Sequence, residues 1–297
     1  MSTSISVVDS SVRESTLQWL ALTLTPGLGP TRASHSVEHF GGIAAVFRAS
    51  LTELEATGLL AVSAQSLGTG KSLELAQEEA ARATAAGVHL VSIEDAAYPP
   101  RLKQIYDPPI VLYVRGAVDI LAQPGIAVVG TRHPTPYGSG MAERVAIDLA
   151  ARGLVMQSGM ARGVDPAAHR GAINAKGKTI AVFGTGVDVS YPKENTRLSE
   201  QIVALGGALI SECPLGSFAA PQNFPIRNRI ISGMSMGVLV VEAAEYSGTR
   251  MLCTRAESRS LCRPRKRHEQ KFLGAEYPHP ARREAGGHGG RHLGGTP

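Results

Sequence analysis

Cysteine is scarce. Cys213, Cys253 and Cys262 are an odd three in 297 residues, without the paired spacing of a zinc site, so neither a disulfide framework nor a structural metal is expected and reduced thiols are the simpler reading. Aromatic residues are only 5% of the chain, with a single tryptophan. No run approaches the roughly 20 apolar residues of a membrane helix. The first residues carry Asp9 and Glu14 where a secretory leader would carry basic side chains. These absences read as a cytoplasmic chain without membrane attachment. What is present, 43% hydrophobic and 19% charged residues, suits one or two soluble domains of roughly 100–200 residues each and excludes collagen and wholesale disorder.

Net charge is +5, with a pI near 9.2, but it is unevenly placed. Residues 251–297 hold 10 Lys+Arg against 4 Asp+Glu, leaving 20 against 21 for residues 1–250. The globular part is therefore not basic, and any polyanion site in it must come from a few cations focused by local geometry.

Four regions are expected. Residues 1–70 read as a small helical domain, with apolar residues at helical spacing and glycine breaks. Within it Pro26-Gly27-Leu28-Gly29-Pro30 fits either a phosphate-approaching hairpin of the helix-hairpin-helix kind or a plain turn between packed helices. Residues 71–124 form a connecting layer: an Ala/Glu/Gln-rich helix over 71–87, then two strands around a loop punctuated by Tyr98-Pro99-Pro100 and Asp107-Pro108-Pro109. From 125 to 250 five short apolar runs (IAVVG, LVMQSG, TIAVFG, ALISE, GVLVVEA) alternate with helices predicted over 138–152, 165–175, 195–205 and 225–234. Apolar runs of that length suit strands covered on both faces, so the fold class is α/β, a Rossmann-like doubly wound parallel sheet with ligands at the carboxyl ends of its strands.

Four segments at those strand ends carry the candidate site. VVGTRHPTPYG offers Gly130 for a tight turn, the Thr131 amide and hydroxyl, and Arg132 at the mouth; it lacks the spacing and the following acid of a dinucleotide fingerprint. QSGMARGVDPAAHRGA sets Ser158, Gly159, Arg162 and Gly163 at a helix start, a ready anion site. Asp165 is favoured there as an N-cap, and His169 as a polar contact rather than an acid or base. FGTGVDVSYPKEN supplies Gly184 and Gly186 for close approach, Lys193 on the loop, and Asn195 as a cap for the next helix. NFPIRNRIISG joins Phe224 to Arg227 and Arg229, the pairing of ring and guanidinium that grips single strands without reading sequence; one of the arginines could instead be a buried fork to a carboxylate such as Glu242.

The series GTRHPTPYG, SGMARGVDPAAHRGA, GTGVDVSYPKEN, NFPIRNRIISG and VVEAAEYSG, over residues 15–250, closely resembles the DNA processing protein A family, DprA or Smf. The resemblance implies an extended Rossmann fold, a helical region like a sterile alpha motif, and a homodimer. It implies binding of single-stranded DNA at the Rossmann mouth and, with the recombinase RecA, protection and loading of incoming strands in natural transformation. Arg132 and Phe224 become the leading contacts. Neither cofactor, metal nor catalytic residue is expected. A nucleotide-processing enzyme of the phosphoribohydrolase kind is the alternative, although VVEAAEYSGT has Glu242 and Glu245 without the paired glycines of those enzymes.

After Arg250 the pattern breaks. Residues 251–297 alternate with neither helical nor strand period, and sliding the codons of RKRHEQKFLGAEYPH by one base permits GNVTNKNSWGPNTLI, a segment like that of the family. A frameshift near residues 248–252 and a disordered basic tail are therefore expected. The strand GVLVVEA would then keep an unpaired edge, and an inactive relic is a further possibility.

Overall fold

The computed structural model describes residues 12–243. The described residues open with six helices: α1 (Glu14–Leu24), α2 (Pro30–Phe40), α3 (Ile43–Val46), α4 (Leu51–Ala56), α5 (Ala61–Gly68) and α6 (Lys71–Ala85). Local chemistry sets their ends. Pro30 opens α2 and Gly41, at φ 75°, closes it, while Ser50 and Glu53 form a reciprocal capping box on α4. The turn at 26–30 is packed: the Ser63 hydroxyl donates to the Pro26 carbonyl at 2.7 Å, and Gly27, at φ 74°, lies under Leu60. The turn therefore joins packed helices.

Trp19, Leu20, Leu22, Leu54 and Ala76 share one core with Val88, Val111 and Tyr113 of the sheet. Glu79 of α6, almost fully buried, accepts the Leu215 amide at 2.8 Å and pairs with Arg82 at 2.8 Å. This contact ties the helical layer to the loop that leads toward the site.

Among the described residues the sheet has seven strands. They are β1 (Val88–Ser92), β2 (Val111–Gly116), β3 (Gly125–Gly130), β4 (Val155–Ser158), β5 (Thr179–Val182), β6 (Ala208–Ser211) and β7 (Val238–Val241), in the order β1-β2-β6-β5-β4-β3-β7. The five from β3 onward are parallel, as the apolar runs predict. The two strands of the connecting layer extend that sheet antiparallel, β2 pairing with the open edge of β6. The sheet is thus mixed. Between the strands lie α7 (Pro136–Ala150), α8 (Val164–Asn174), α9 (Thr196–Ala204) and α10 (Asn223–Met234), each within two residues of its predicted bounds.

The chain winds outward from β3 to β6 under α7, α8 and α9, then α10 crosses back on the other face to set β7 beyond β3. Val128 packs with α7 and α8, while its neighbours Ala127 and Val129 pack with Ile230, Ile231 and Met234 of α10. That reversal puts the topological switch point at β3, where a ligand crevice is expected beyond the carboxyl ends. Among the described residues β7 is the last strand in the order. The expectations for the tail at 251–297, and for Glu245, Cys253 and Cys262, lie outside the described residues.

Candidate nucleic-acid interface

The carboxyl ends of β3, β4 and β5 and the first turns of α8 and α10 converge on one mouth. Gly130 ends β3 without a positive φ; its requirement is close approach, since a Cβ there would meet the Val241 carbonyl and lie 2.6 Å from Val164. The tight turn is made instead at Gly163, at φ 86°, which stands at the N-cap of α8 against the backbone of Thr131 and Arg132. Thr131 spends its amide on the Glu242 carbonyl at 2.8 Å, and its hydroxyl accepts the His133 amide at 3.2 Å. Arg132 projects outward, exposed, with no hydrogen-bond or ion-pair partner among the described residues.

Beneath it lies a buried charge pair. Asp165, expected as a helix cap, is 6% exposed and accepts the Ala161 amide at 3.1 Å. Gly163 already stands at the cap, so the carboxylate turns inward. Burial pushes Asp165 above the usual carboxylate range, and the nearby charges of Arg227 and Arg132 pull it back. Arg227, 6% exposed, donates to the Val182 carbonyl at the end of β5, and burial lowers its pKa against the pull of Asp165. Gly159 makes room for both: a Cβ would sit 2.5 Å from the Asp165 carboxylate and 2.6 Å from the Arg227 guanidinium. Ser158 closes the layer by donating to the Val128 carbonyl at 2.6 Å.

His169 supports this floor from below. Fully buried, it lies 2.9 Å from the Gly159 carbonyl through Nε2 and 2.7 Å from the Thr179 hydroxyl through Nδ1. A carbonyl can only accept, so Nε2 carries the proton. Burial lowers the imidazole to about 4, so the ring is neutral with its proton on Nε2, and the single Thr179 hydroxyl proton lies between Nδ1 and the Met156 carbonyl, 3.0 Å away. The polar-contact reading of His169 matches this geometry. Asn195 precedes α9 but does not cap it with its side chain; its amide donates to the Met160 carbonyl at 3.0 Å and so fixes the same loop.

One wall is aromatic. Phe224, in the first turn of α10, lies 5.4 Å from Tyr191, ring to ring, and Gly184 lets the Phe224 ring approach, with only 3.0 Å left for a Cβ. Tyr191 is half exposed and was missed as a site residue, though an aromatic beside Pro192 on a strand-end loop was the available signal. Gly186 donates to the Ser217 carbonyl at 3.0 Å and belongs to the neighbouring loop packing. Lys193 stands exposed on the same loop as Tyr191. Arg162 is half exposed and forks Glu194 at 3.0 and 3.3 Å. Exposed pairs of this kind are worth little, so a phosphate can displace the carboxylate.

Arg229 is not part of the mouth. It is 4% exposed and closed by Glu212 at 2.8 and 2.6 Å and by Asp107 at 3.0 Å. The buried-fork expectation fits this arginine, with Glu212 rather than Glu242 as partner. Glu242 itself takes the Thr135 amide at 2.8 Å and the Thr135 hydroxyl at the start of α7. Those hydrogen bonds hold its pKa below the usual range. The helix start where a dinucleotide pyrophosphate would sit is therefore filled by the chain's own carboxylate. Among the described residues no group of His, Cys, Asp and Glu could hold a metal ion, and no helix is long and apolar enough to cross a membrane.

A model of the DNA recombination-mediator protein A family matches residues 89–275. Protein Smf of Synechocystis is 37% identical over 242 residues, covering 77% of this chain and 59% of that protein. DNA processing protein DprA of Streptococcus pneumoniae is 45% identical over 165 residues, 56% of this chain and 58% of that one. The chain spans about half the length of the curated relatives it matches. Among solved structures, DprA from Streptococcus pneumoniae superposes with a TM-score of 0.70 at 31% identity, over 83% of this chain and 84% of that one. The Helicobacter pylori DNA processing protein A, described for its single-stranded DNA binding mode, gives 0.51 at 30% identity, over 57% and 77%.

Proposed function

This chain belongs to the DNA recombination-mediator protein A family, and from that premise we propose that it binds single-stranded DNA across the mouth of its parallel sheet. It then acts as a recombination mediator that shields incoming strands and hands them to a RecA recombinase in natural transformation, as a cytoplasmic homodimer. The observation that carries this reading is the juxtaposition at the mouth: an exposed Arg132, unpaired among the described residues, stands over a buried Asp165–Arg227 pair, and a ring pair, half-buried Phe224 and exposed Tyr191, forms one wall. A guanidinium takes a phosphate and a ring takes a base, which is sufficient for sequence-tolerant grip on an unpaired strand.

The contacts assigned to the strand are Arg132, Arg162 after release from Glu194, Lys193, Phe224 and Tyr191. Gly159, Gly163 and Gly184 give the backbone its close fit, and Arg227 supplies charge from the floor. We read the action as binding without turnover. Asp165 and His169, the buried titratable groups of the floor, are both engaged and shielded, and Glu242 is held by Thr135.

Arg132→Ala tests the pocket, with a labelled oligonucleotide read by filter retention across a salt series. The tail carries its own positive balance, so the same pair of proteins is measured with residues 251–297 removed. Losing one phosphate contact flattens the log–log salt slope by about 0.7. An unchanged slope and affinity in the tail-free pair would reject the assigned mouth.

A further inference from the structure

The helical layer carries a second cationic feature far along the chain from the mouth. One face of α2 presents Arg32, His35 and His39, all exposed, over successive turns, and these line a groove of about 400 Å³ with Ser36, Thr57 and Leu59. Among the described residues no acidic side chain lines it. Neither Arg32 nor His35 has a hydrogen-bond or ion-pair partner on its side chain among the described residues, and the His39 ring meets only the edge of Phe40, at 5.0 Å. The groove therefore offers donors without internal acceptors to satisfy them.

The two hydroxyls are spent differently. Ser36 donates to the Arg32 carbonyl at 3.0 Å and Thr57 to the Leu54 carbonyl at 2.7 Å, so each keeps only accepting capacity for a ligand. Leu59 adds an apolar wall, and Gly58, at φ 80°, contributes no side chain. The volume falls in the range of small-ligand sites, about 300–1,000 Å³. The row from residue 32 to residue 39 rises only about 10 Å along the helix, enough for one phosphoryl group and its ester but not for a tracked strand.

We propose that this groove binds a phosphate monoester of about nucleotide size, its phosphoryl group held by Arg32 and the two imidazoles and its ring or sugar laid against Leu59. Two sources share that chemistry, a free mononucleotide and the phosphorylated end of a DNA strand. The proposal does not rest on the function assigned to the sheet mouth. Either site can fail while the other stands.

The test is an NMR titration of the full chain, following the imidazole signals of His35 and His39, with inorganic phosphate, dAMP, and oligonucleotides bearing or lacking a terminal phosphate. Saturable movement of both signals with dAMP is expected, with affinity reduced about tenfold in Arg32→Gln, the weight of one charge-assisted hydrogen bond. Movement by the phosphorylated oligonucleotide but not its unphosphorylated twin would extend the site to strand ends; dAMP alone would restrict it to the free ligand. Retention of the unphosphorylated oligonucleotide, which reports on the mouth alone, should be the same in Arg32→Gln as in the parent. Signals that stay fixed with every probe, or that move equally in Arg32→Gln, would overturn the proposal. Inorganic phosphate binding as tightly as dAMP would remove the nucleotide-sized claim.

Discussion

Two arginines of one helix sit in two differently built surroundings. Around Arg229 the charge is closed: two carboxylates meet the guanidinium and leave nothing for a visitor. At the mouth Arg227 faces a single carboxylate that is itself resisted by burial, and Arg132 adds a second cation above it. The first arrangement holds the fold, and the second leaves a positive surplus where a phosphate can arrive. Closure of charge, not nearness in sequence, separates Arg229 from the arginines proposed to bind. The largest effect that could break this contrast is Arg229→Met. Leaving Glu212 without its partner should cost about 3–5 kcal/mol, softened by the partial exposure of Asp107. Urea unfolding would show the loss, while the still-folded fraction should bind DNA unchanged. Weakened binding per folded molecule would erase the distinction.

The floor of the mouth has a pH signature of its own. His169 falls from its ordinary 6.5 to about 4 on burial, so the unfolded chain takes up its proton first as the medium turns acid. Its contribution to stability is full above pH 6.5 and declines as pH falls toward 4, by about 3 kcal/mol in all. Asp165 works in the opposite sense, since its raised pKa lets the folded state bind a proton early. A series of melts between pH 7 and 4, compared with His169→Gln, isolates the imidazole: the parent should lose more stability than the variant. Equal slopes would remove His169 from the account.

How much of this was readable beforehand depends on the distance over which each feature is decided. The five strand–helix alternations are local: each strand is an apolar run ended by glycine or a small polar residue, and the helices fell within two residues of expectation. The antiparallel extension by β1 and β2 is a pairing between distant segments, β2 with β6, and no pattern within either reveals it. The fates of Arg227 and Arg229 were half legible. Residues two apart on a helix point about 200° apart, so both could not face one mouth, but which one did depended on where Glu212 and Asp165 lay. Asp165 was misplaced because Gly163 took the cap position, a choice set by contact with the Thr131–Arg132 backbone.

The aromatic wall gives a smaller effect than the charge cluster, and one confined to binding. Phe224→Ala should weaken an oligonucleotide by about 1–3 kcal/mol through lost stacking, and Tyr191→Ala by less, because its ring is the more exposed of the two. Anisotropy titrations of both variants and the double variant check this. The ring contact predicts that the two losses do not add, since the rings pack on each other and removing either disturbs the surface they share. Strict additivity would mean the rings serve separate nucleotides.

The smallest effect sharpens the same contrast from the other direction. Glu242 closes the start of α7 as Glu212 closes Arg229, but it does so at the rim of the mouth, through the Thr135 amide and hydroxyl. Glu242→Ala removes one negative charge from the mouth and frees the Thr135 amide at the start of α7 for a phosphate to meet. Oligonucleotide affinity should therefore rise, by about two- to fivefold at low salt, and return to the parent value as salt screens the helix terminus. A fall instead would show that the carboxylate positions the GTR loop for the strand through Thr135, so that closure at the rim serves binding as well as folding.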